Sequence, residues 1–432
     1  MRVLHTLGAR NGPRPKAIVA HLRFYVPLVA ACVAFLAVCE LVLRLALPSE
    51  APSTADYEML EPDDVLGYRL APSLDAVFQR TPANGGDRIR WGTNAGGFRG
   101  EELASTNAPR IVVYGDSNVQ AVFSTDANTF PEQLESIVAR DLGRPVEVVN
   151  AGVIGYGPDH YLLRMTAELP ALQPALVVLT IFADNDLGDS LRHRLFELRD
   201  GRLSRRRDHF VYPASSLMDR ARRFAASLLI AQAAKRAFSF VLPAPDVGSD
   251  SNDQPDTATR IRQLEELAAL SFARYRTPGS PFLRGDYYDI DVAVAPESES
   301  ARTKLSLLGA IFREAKATAD RAGVALLVAI EPSRVDLTTL DSVNHVTLGQ
   351  AYASYDPRRL TRSIEELCRS EAIDVINLYD AFSQNAPETL YFEGADDHWN
   401  DAGQNLAAET IAPRVVARMA EGLEARDSTA GN

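Results

Sequence analysis

Arg110-Ile-Val-Val-Tyr-Gly-Asp-Ser-Asn118 is the stretch on which the fold turns. Residues 111–114 are an apolar, β-branched and aromatic run with no polar alternation, so both faces of the strand they form are covered. Gly115-Asp-Ser-Asn118 then ends the run in residues that suit turns. Working outward, the rhythm repeats. Helical spacing fills 130–142, and a second strand covers 146–149. The loop Asn150-Ala-Gly-Val-Ile-Gly155-Tyr-Gly157 follows, then a helix over 159–169 and a strand over 175–182. Farther on come a helix at 301–322 with a strand at 324–330, and a helix at 359–369 with a strand at 373–378. Asn400 is placed to cap a final amphipathic helix that runs towards 421. Apolar strands alternating with amphipathic helices predict an α/β domain: three α/β/α layers around a mostly parallel five-stranded sheet.

Two regions break the rhythm. Residues 48–109 form a Gly/Pro-rich lead-in, with Gly67-Tyr68 and Gly96-Gly-Phe-Arg-Gly100, that predicts turns and short strands. Residues 187–300 read as an insertion into the domain at 110–425. It holds a hairpin around Asp200-Gly201, an Arg-rich helix over 216–240 and a polar linker over 243–259.

Before the body stands FYVPLVAACVAFLAVCELVLRLAL, residues 24–47, interrupted only by Glu40 and Arg44. A helix of roughly 20 apolar residues spans a bilayer, and Glu40 and Arg44 are spaced to pair near one end. The first 23 residues carry Arg2, Arg10, Arg14, Lys16 and Arg23 and no acid, a charge of +5; with −12 overall, the remainder carries −17. The positive flank predicts a cytoplasmic tail at 1–23 and a single transmembrane anchor at 24–47. The body is then exported across the inner (cytoplasmic) membrane. So acidic a body argues against nucleic acid as the main partner. Of three cysteines, Cys32 and Cys39 lie in the apolar segment and Cys368 stands alone. No disulfide framework or cysteine zinc site is available, and no cofactor or metal site is evident.

Four positions fall at the carboxyl ends of the predicted strands, where open α/β sheets gather their chemistry. Ser117 follows the first strand, Gly155 the second and Asn185 the third. Asp396-Asp-His-Trp399 sits between the last strand and the last helix. Each has a plain alternative: a turn, a turn glycine, a helix cap and a surface loop. Together at matching strand ends, a hydroxyl, a flexible backbone N–H, an amide and an imidazole beside carboxylates make the set a nucleophilic catalyst needs.

That combination resembles the SGNH (GDSL-type) hydrolase superfamily. Gly115-Asp-Ser117 matches its first block, and Asn150 to Gly155 its second. Asn185-Asp186 matches its third, with Ala183 where the family has glycine. Asp396-x-His398-Trp399 is similar to the Asp-x-His-Trp form of the alginate O-acetyltransferase-like branch. The resemblance covers about residues 110–186 and 320–420 and implies a flavodoxin-like sheet. It also implies a triad of Ser117, His398 and Asp396, with Asp397 as the other candidate acid. Ser117, Gly155 and Asn185 would be the oxyanion donors. The expected activity is a serine esterase acting on O-acyl esters, acetyl or another short acyl group, with an acylated glycan among its substrates. The alternatives are an O-acyltransferase that modifies an exported polysaccharide and a catalytically silent envelope binding module. No Gly-x-Ser-x-Gly elbow occurs, which argues against the α/β-hydrolase fold.

Overall fold

The computed structural model describes residues 25–28, 30–31, 34–40, 42, 59–80, 84–104, 108–211, 257–280, 287–338, 348–393 and 397–430, with side chains described as far as 422. The chain divides into two compact units, residues 1–52 with 215–251, and residues 53–214 with 252–432. In the first unit the described residues between 25 and 42 are helical. Tyr25, Val26, Leu28, Phe35, Leu36, Val38 and Val42 are exposed there. Among the described residues no helix is long and apolar enough to cross a membrane. The rest of 24–47, the Arg-rich segment 216–240 and most of the linker after it lie outside the described residues.

The second unit is built on a five-stranded sheet. Its strands are β5 (Arg110–Gly115), β6 (Glu147–Gly152), β7 (Leu176–Phe182), β10 (Ala325–Glu331) and β11 (Asp374–Asn377). They lie side by side in the order β11-β10-β7-β5-β6, and every pair is parallel. Numbered along the chain among themselves, these strands read 2-1-3-4-5 from the β6 edge, the flavodoxin-like doubly wound order, so their carboxyl ends share one edge. All seven residues of β7 are buried, as the unbroken run Leu-Val-Val-Leu-Thr-Ile-Phe requires of a central strand.

Pleating divides each strand between two cores. Val112 and Tyr114 face helices α3 (Pro158–Leu172), α6 (Glu299–Ala322) and α7 (Arg359–Ser370). Ile111 and Val113 face α2 (Phe130–Leu142) and α8 (Asp401–Ala430). The three-layer expectation holds, with helix and strand ends within a few residues of those read from the sequence, except that α8 runs on past 421 to Ala430. Thr129, whose hydroxyl accepts from the Glu132 N–H, and Gly143, at φ 65°, bound α2. Asn400 caps α8 as expected, accepting from the N–H groups of Ala402 (2.9 Å) and Gly403 (3.1 Å).

The hairpin in the insertion is β8 (Phe196–Arg199) and β9 (Arg202–Arg205), joined by Asp200 and Gly201 at φ 52° and 72°. Two successive positive φ values are those of a type I′ turn. Besides several helices of four or five residues, two longer helices among the described residues are additional to the sequence reading. One, α4 (Asp186–His193), follows Asn185 immediately; its acids hid it, because they are buried rather than solvent-facing. The other, α5 (Thr257–Arg276), starts inside the stretch that reads as polar linker.

The lead-in pairs as two short hairpins, β1 (Leu60–Asp63) with β2 (Gly67–Leu70) and β3 (Asp75–Gln79) with β4 (Arg88–Gly92). Arg99, 4% exposed, bridges to Asn150 by its backbone. Its guanidinium donates to the carbonyls of Gln120, Ala121 and Ser124 and pairs with Asp126 at 3.0 Å. Burial pulls its pKa down to about 10 against the pull of Asp126. The lead-in thus supplies the cation that holds the chain just beyond the Gly-Asp-Ser turn.

Candidate functional site

Ser117 opens the four-residue helix α1 (Ser117–Gln120) directly beyond β5. Asp116 is the N-cap, and its carboxylate accepts from the Asn118 N–H at 2.8 Å. Packing at this turn admits no side chain at the neighbouring glycines. A Cβ on Gly115 would lie 2.2 Å from Thr180 Oγ1, and one on Gly152 would lie 2.2 Å from the Gln120 nitrogen. Glycine at both positions lets α1 sit down on the ends of β5 and β6, presenting Ser117 half-buried while Asn118, Val119 and Gln120 are buried.

Gly155 lies in the loop beyond β6 at φ 69°, a left-handed conformation that glycine adopts without strain. Its carbonyl accepts from the Tyr68 hydroxyl at 2.8 Å, and the Ile154 N–H donates to Gln120 Oε1 at 2.5 Å. The loop is therefore held from the lead-in on one side and from α1 on the other. Asn185 lies beyond β7 at the N-cap position of α4, 5% exposed, yet its side chain makes no cap bond. Its Oδ1 is buried without a hydrogen-bond partner. The helix-cap alternative for Asn185 is thereby removed.

His398 arrives from the far end of the chain. The Trp399 N–H donates to Asn118 Oδ1 at 3.0 Å, and Gln404 Nε2 donates to the Asn118 carbonyl at 2.8 Å. Asn118 Nδ2 in turn donates to Glu331 Oε2 at 3.0 Å. The residue after Ser117 thus ties down the residue after His398, and both are tied to the end of β10. The His398 ring meets Phe123 edge-on with centroids 5.3 Å apart, and Phe123 packs against Phe78 and Phe392. Nδ1 of His398 is 3.4 Å from Asp397 Oδ1. Asp396, the acid favoured by spacing, lies outside the described residues.

Carboxyls crowd this edge. Burial, then the charge of Asp116, pushes the pKa values of Asp186 and Glu331 well above the ordinary carboxylate range. The Phe182 N–H pulls back on Asp186, and the Asn118 amide and Thr180 hydroxyl pull back on Glu331. Asp184 is also raised, by burial and then by Asp397, while the Ser333 hydroxyl opposes the rise. These three acids favour their neutral forms, so they line the edge without multiplying its charge.

Sequence reasoning missed Asn118, Glu331 and Gln404 as structural members of the site. Asn118 was legible as the fourth residue of the turn, and Glu331 as an acid that ends an otherwise apolar strand. Gln404 leaves no local signal. A hydroxyl at a helix start, an imidazole with a carboxylate near one nitrogen and a buried amide whose oxygen has no partner are the kinds of group that acyl transfer uses.

Residues 291–431 match the family described as SGNH hydrolase-like domain, acetyltransferase AlgX. The match takes in the His398 block and bears out the resemblance to SGNH hydrolase-like proteins there, with an ester-acting class, while Ser117, Gly155 and Asn185 lie outside the matched residues. No curated protein matches the chain. Several solved structures resemble it. The acetyl xylan esterase AlAXEase is 12% identical, with 71% of this chain and 99% of that chain covered and a TM-score of 0.33. A lipase/acylhydrolase from Enterococcus faecalis is 15% identical, with 72% and 96% covered and a TM-score of 0.32. Axe2, an acetylxylan esterase from Geobacillus stearothermophilus, is 10% identical, with 72% and 94% covered and a TM-score of 0.34. At these TM-scores the neighbours are likenesses only, and the family match carries the weight.

Proposed function

We infer that this chain, which carries an SGNH hydrolase-like domain, is a membrane-anchored, extracytoplasmic serine esterase that cleaves short O-acyl esters. The observation that carries the reading is the Asn118 bridge, which joins the Ser117 turn to the His398 segment at one sheet edge. Ser117 Oγ attacks the ester carbonyl and gives its proton to His398. The Nε2 nitrogen is the acceptor, because Nδ1 faces a carboxylate. Asp396, or Asp397 beside it, holds the ring in that tautomer and stabilises the imidazolium. The oxyanion is held by the N–H groups of Ser117 and Gly155 and the amide of Asn185, each donor of this kind supplying about 3 kcal/mol. The alcohol then leaves with the proton from His398. Water, activated by the same imidazole, releases the acid from acyl-Ser117. The apolar ring cluster of Phe78, Phe123 and Phe392 beside His398 suits an acetyl or similarly short group.

A second reading has one observation in its favour: the family match is to an acetyltransferase. The same acyl-Ser117 would then be resolved by a sugar hydroxyl of an exported polysaccharide in place of water. Anchoring by residues 24–47, N-terminus inside, is supported by the apolar composition of that segment and by the exposure of its described apolar side chains.

The test is labelling of the full chain with a fluorophosphonate, followed by peptide mapping. The label is expected on the peptide that contains Ser117 and is expected to be absent from Ser117→Ala. A chain that stays unlabelled while correctly folded would overturn the catalytic reading in favour of a binding module. Incubation with an acyl donor and a neutral glycan then separates free acid from acylated glycan.

A further inference from the structure

In the second unit a pair adjacent in sequence, Asp159 and His160, meets a histidine 34 residues away, His193. Asp159 stands in the first turn of α3, His160 follows it, and His193 ends α4. Their ligand-capable atoms all lie within 4.8 Å of one another. Asp159 Oδ1 is 3.2 Å from His160 Nδ1 and 3.2 Å from His193 Nδ1. His160 stacks on Tyr156 with centroids 4.0 Å apart and meets His193 edge-on at 4.3 Å.

The proton count at His160 is the telling feature. Its Nε2 lies 2.9 Å from the Leu66 carbonyl, which can only accept, so Nε2 carries the ring proton. In the neutral ring Nδ1 is then a lone pair, and it faces a carboxylate oxygen in a site where both side chains are 1% exposed. His160 Nδ1 and Asp159 Oδ2 are both buried without a hydrogen-bond partner. Two acceptors held face to face in a dry site are an arrangement that a bound cation reconciles.

We propose that Asp159, His160 and His193 form a divalent-metal site with the donor set and size of Zn2+, pinning the start of α3 to the end of α4. Zinc binds His nitrogen and carboxylate oxygen at about 2.0–2.2 Å, which in a tetrahedron sets neighbouring ligands roughly 3.3 Å apart. Both 3.2 Å separations match that edge. The Leu66 carbonyl on His160 Nε2 is the outer partner that orients a metal-bound imidazole. His193, with its side chain 13% exposed, is the side from which an ion enters, leaving the fourth position for water. Arg205, on which the Asp159 charge acts, donates to the Val65 carbonyl at 2.9 Å. The α3 end held in this way follows directly on the Gly155 loop, so the ion would tie that loop to α4.

The test uses the full chain in detergent, freed of any affinity tag, stripped with chelator and titrated with Zn2+ or Co2+. One Zn2+ per chain is expected by equilibrium dialysis, and Co2+ should give the intense visible absorption of a tetrahedral site. Both should be lost in His193→Ala and in Asp159→Asn, with the circular dichroism of each variant unchanged, and retained in His209→Ala. Failure to bind a stoichiometric ion, or binding that survives both His193→Ala and Asp159→Asn, would overturn the proposal. Neither readout depends on esterase activity, so the metal site and the Ser117 reading stand or fall separately.

Discussion

Among the described residues, His398 and His160 each stand beside the aspartate that precedes them in sequence, and they differ in nearly everything else. His398 and Asp397 are 3.4 Å apart, with side chains 23% and 43% exposed. His160 and Asp159 are 3.2 Å apart and sealed from solvent, with the far ring nitrogen committed to a backbone carbonyl. A general base must reach its proton and titrate near the working pH. The solvent-reachable ring at the sheet edge meets the first condition. The buried ring meets neither, because its tautomer is locked and burial favours its neutral form. Sequence adjacency of Asp and His therefore says little about role; what lies on the other ring nitrogen decides it.

This contrast breaks first at Ser117. Ser117→Ala is expected to lower kcat for nitrophenyl acetate by a factor on the order of 10^4 to 10^6. His398→Ala should be nearly as severe and the double variant no worse, since the pair acts as a unit. His160→Gln, by contrast, should leave the steady-state rate of the metal-free chain within several-fold of wild type. Equal losses at His160 and His398 would erase the distinction.

The next effect sharpens which carboxylate belongs to His398. Asp396→Asn and Asp397→Asn should separate cleanly, the orienting acid lowering kcat by about 10^4 and its neighbour far less. Asn185→Ala comes next, with an expected fall in kcat of about 10^2 to 10^3 and an almost unchanged KM, the signature of a donor used only in the transition state. A KM effect alone would make Asn185 a substrate contact instead.

The smallest effect is one of stability. The folded-state pKa of Glu331 is raised above its unfolded value near 4.5. The stability it contributes is present below that value and is lost as pH rises through the folded pKa, because the unfolded chain ionises first. Glu331→Gln can still accept from Asn118 Nδ2 without carrying the charge. Its melting temperature should therefore exceed that of wild type by a margin that widens as pH rises. A gap that widens towards acid would contradict the sign.

Much of this was legible from residues 110–118 outward. Unbroken apolar runs such as 176–182 can be buried on both faces only inside a covered parallel sheet, and the strand ends then follow. Ser117, Gly155 and Asn185 were legible because each follows such a run directly. The helix α4 was not, since a segment as acidic as Asp186-Leu-Gly-Asp189 reads as solvated until its neighbours show it buried. Nor was the meeting of Asp159 with His193, which depends on how α3 and α4 pack.

Periodicity and turn chemistry are local, so the sequence alone determined the layered α/β architecture, the turn that presents Ser117 and the apolar N-terminal segment. Only the tertiary structure decided what stands around them. Asn118 meets Trp399 across 281 residues and Glu331 across 213, and His193 reaches Asp159 across 34. Such meetings are set by strand order and by which helix packs beside which. No residue carries that information in its own neighbourhood, because the free energy that selects it comes from burying whole faces at once.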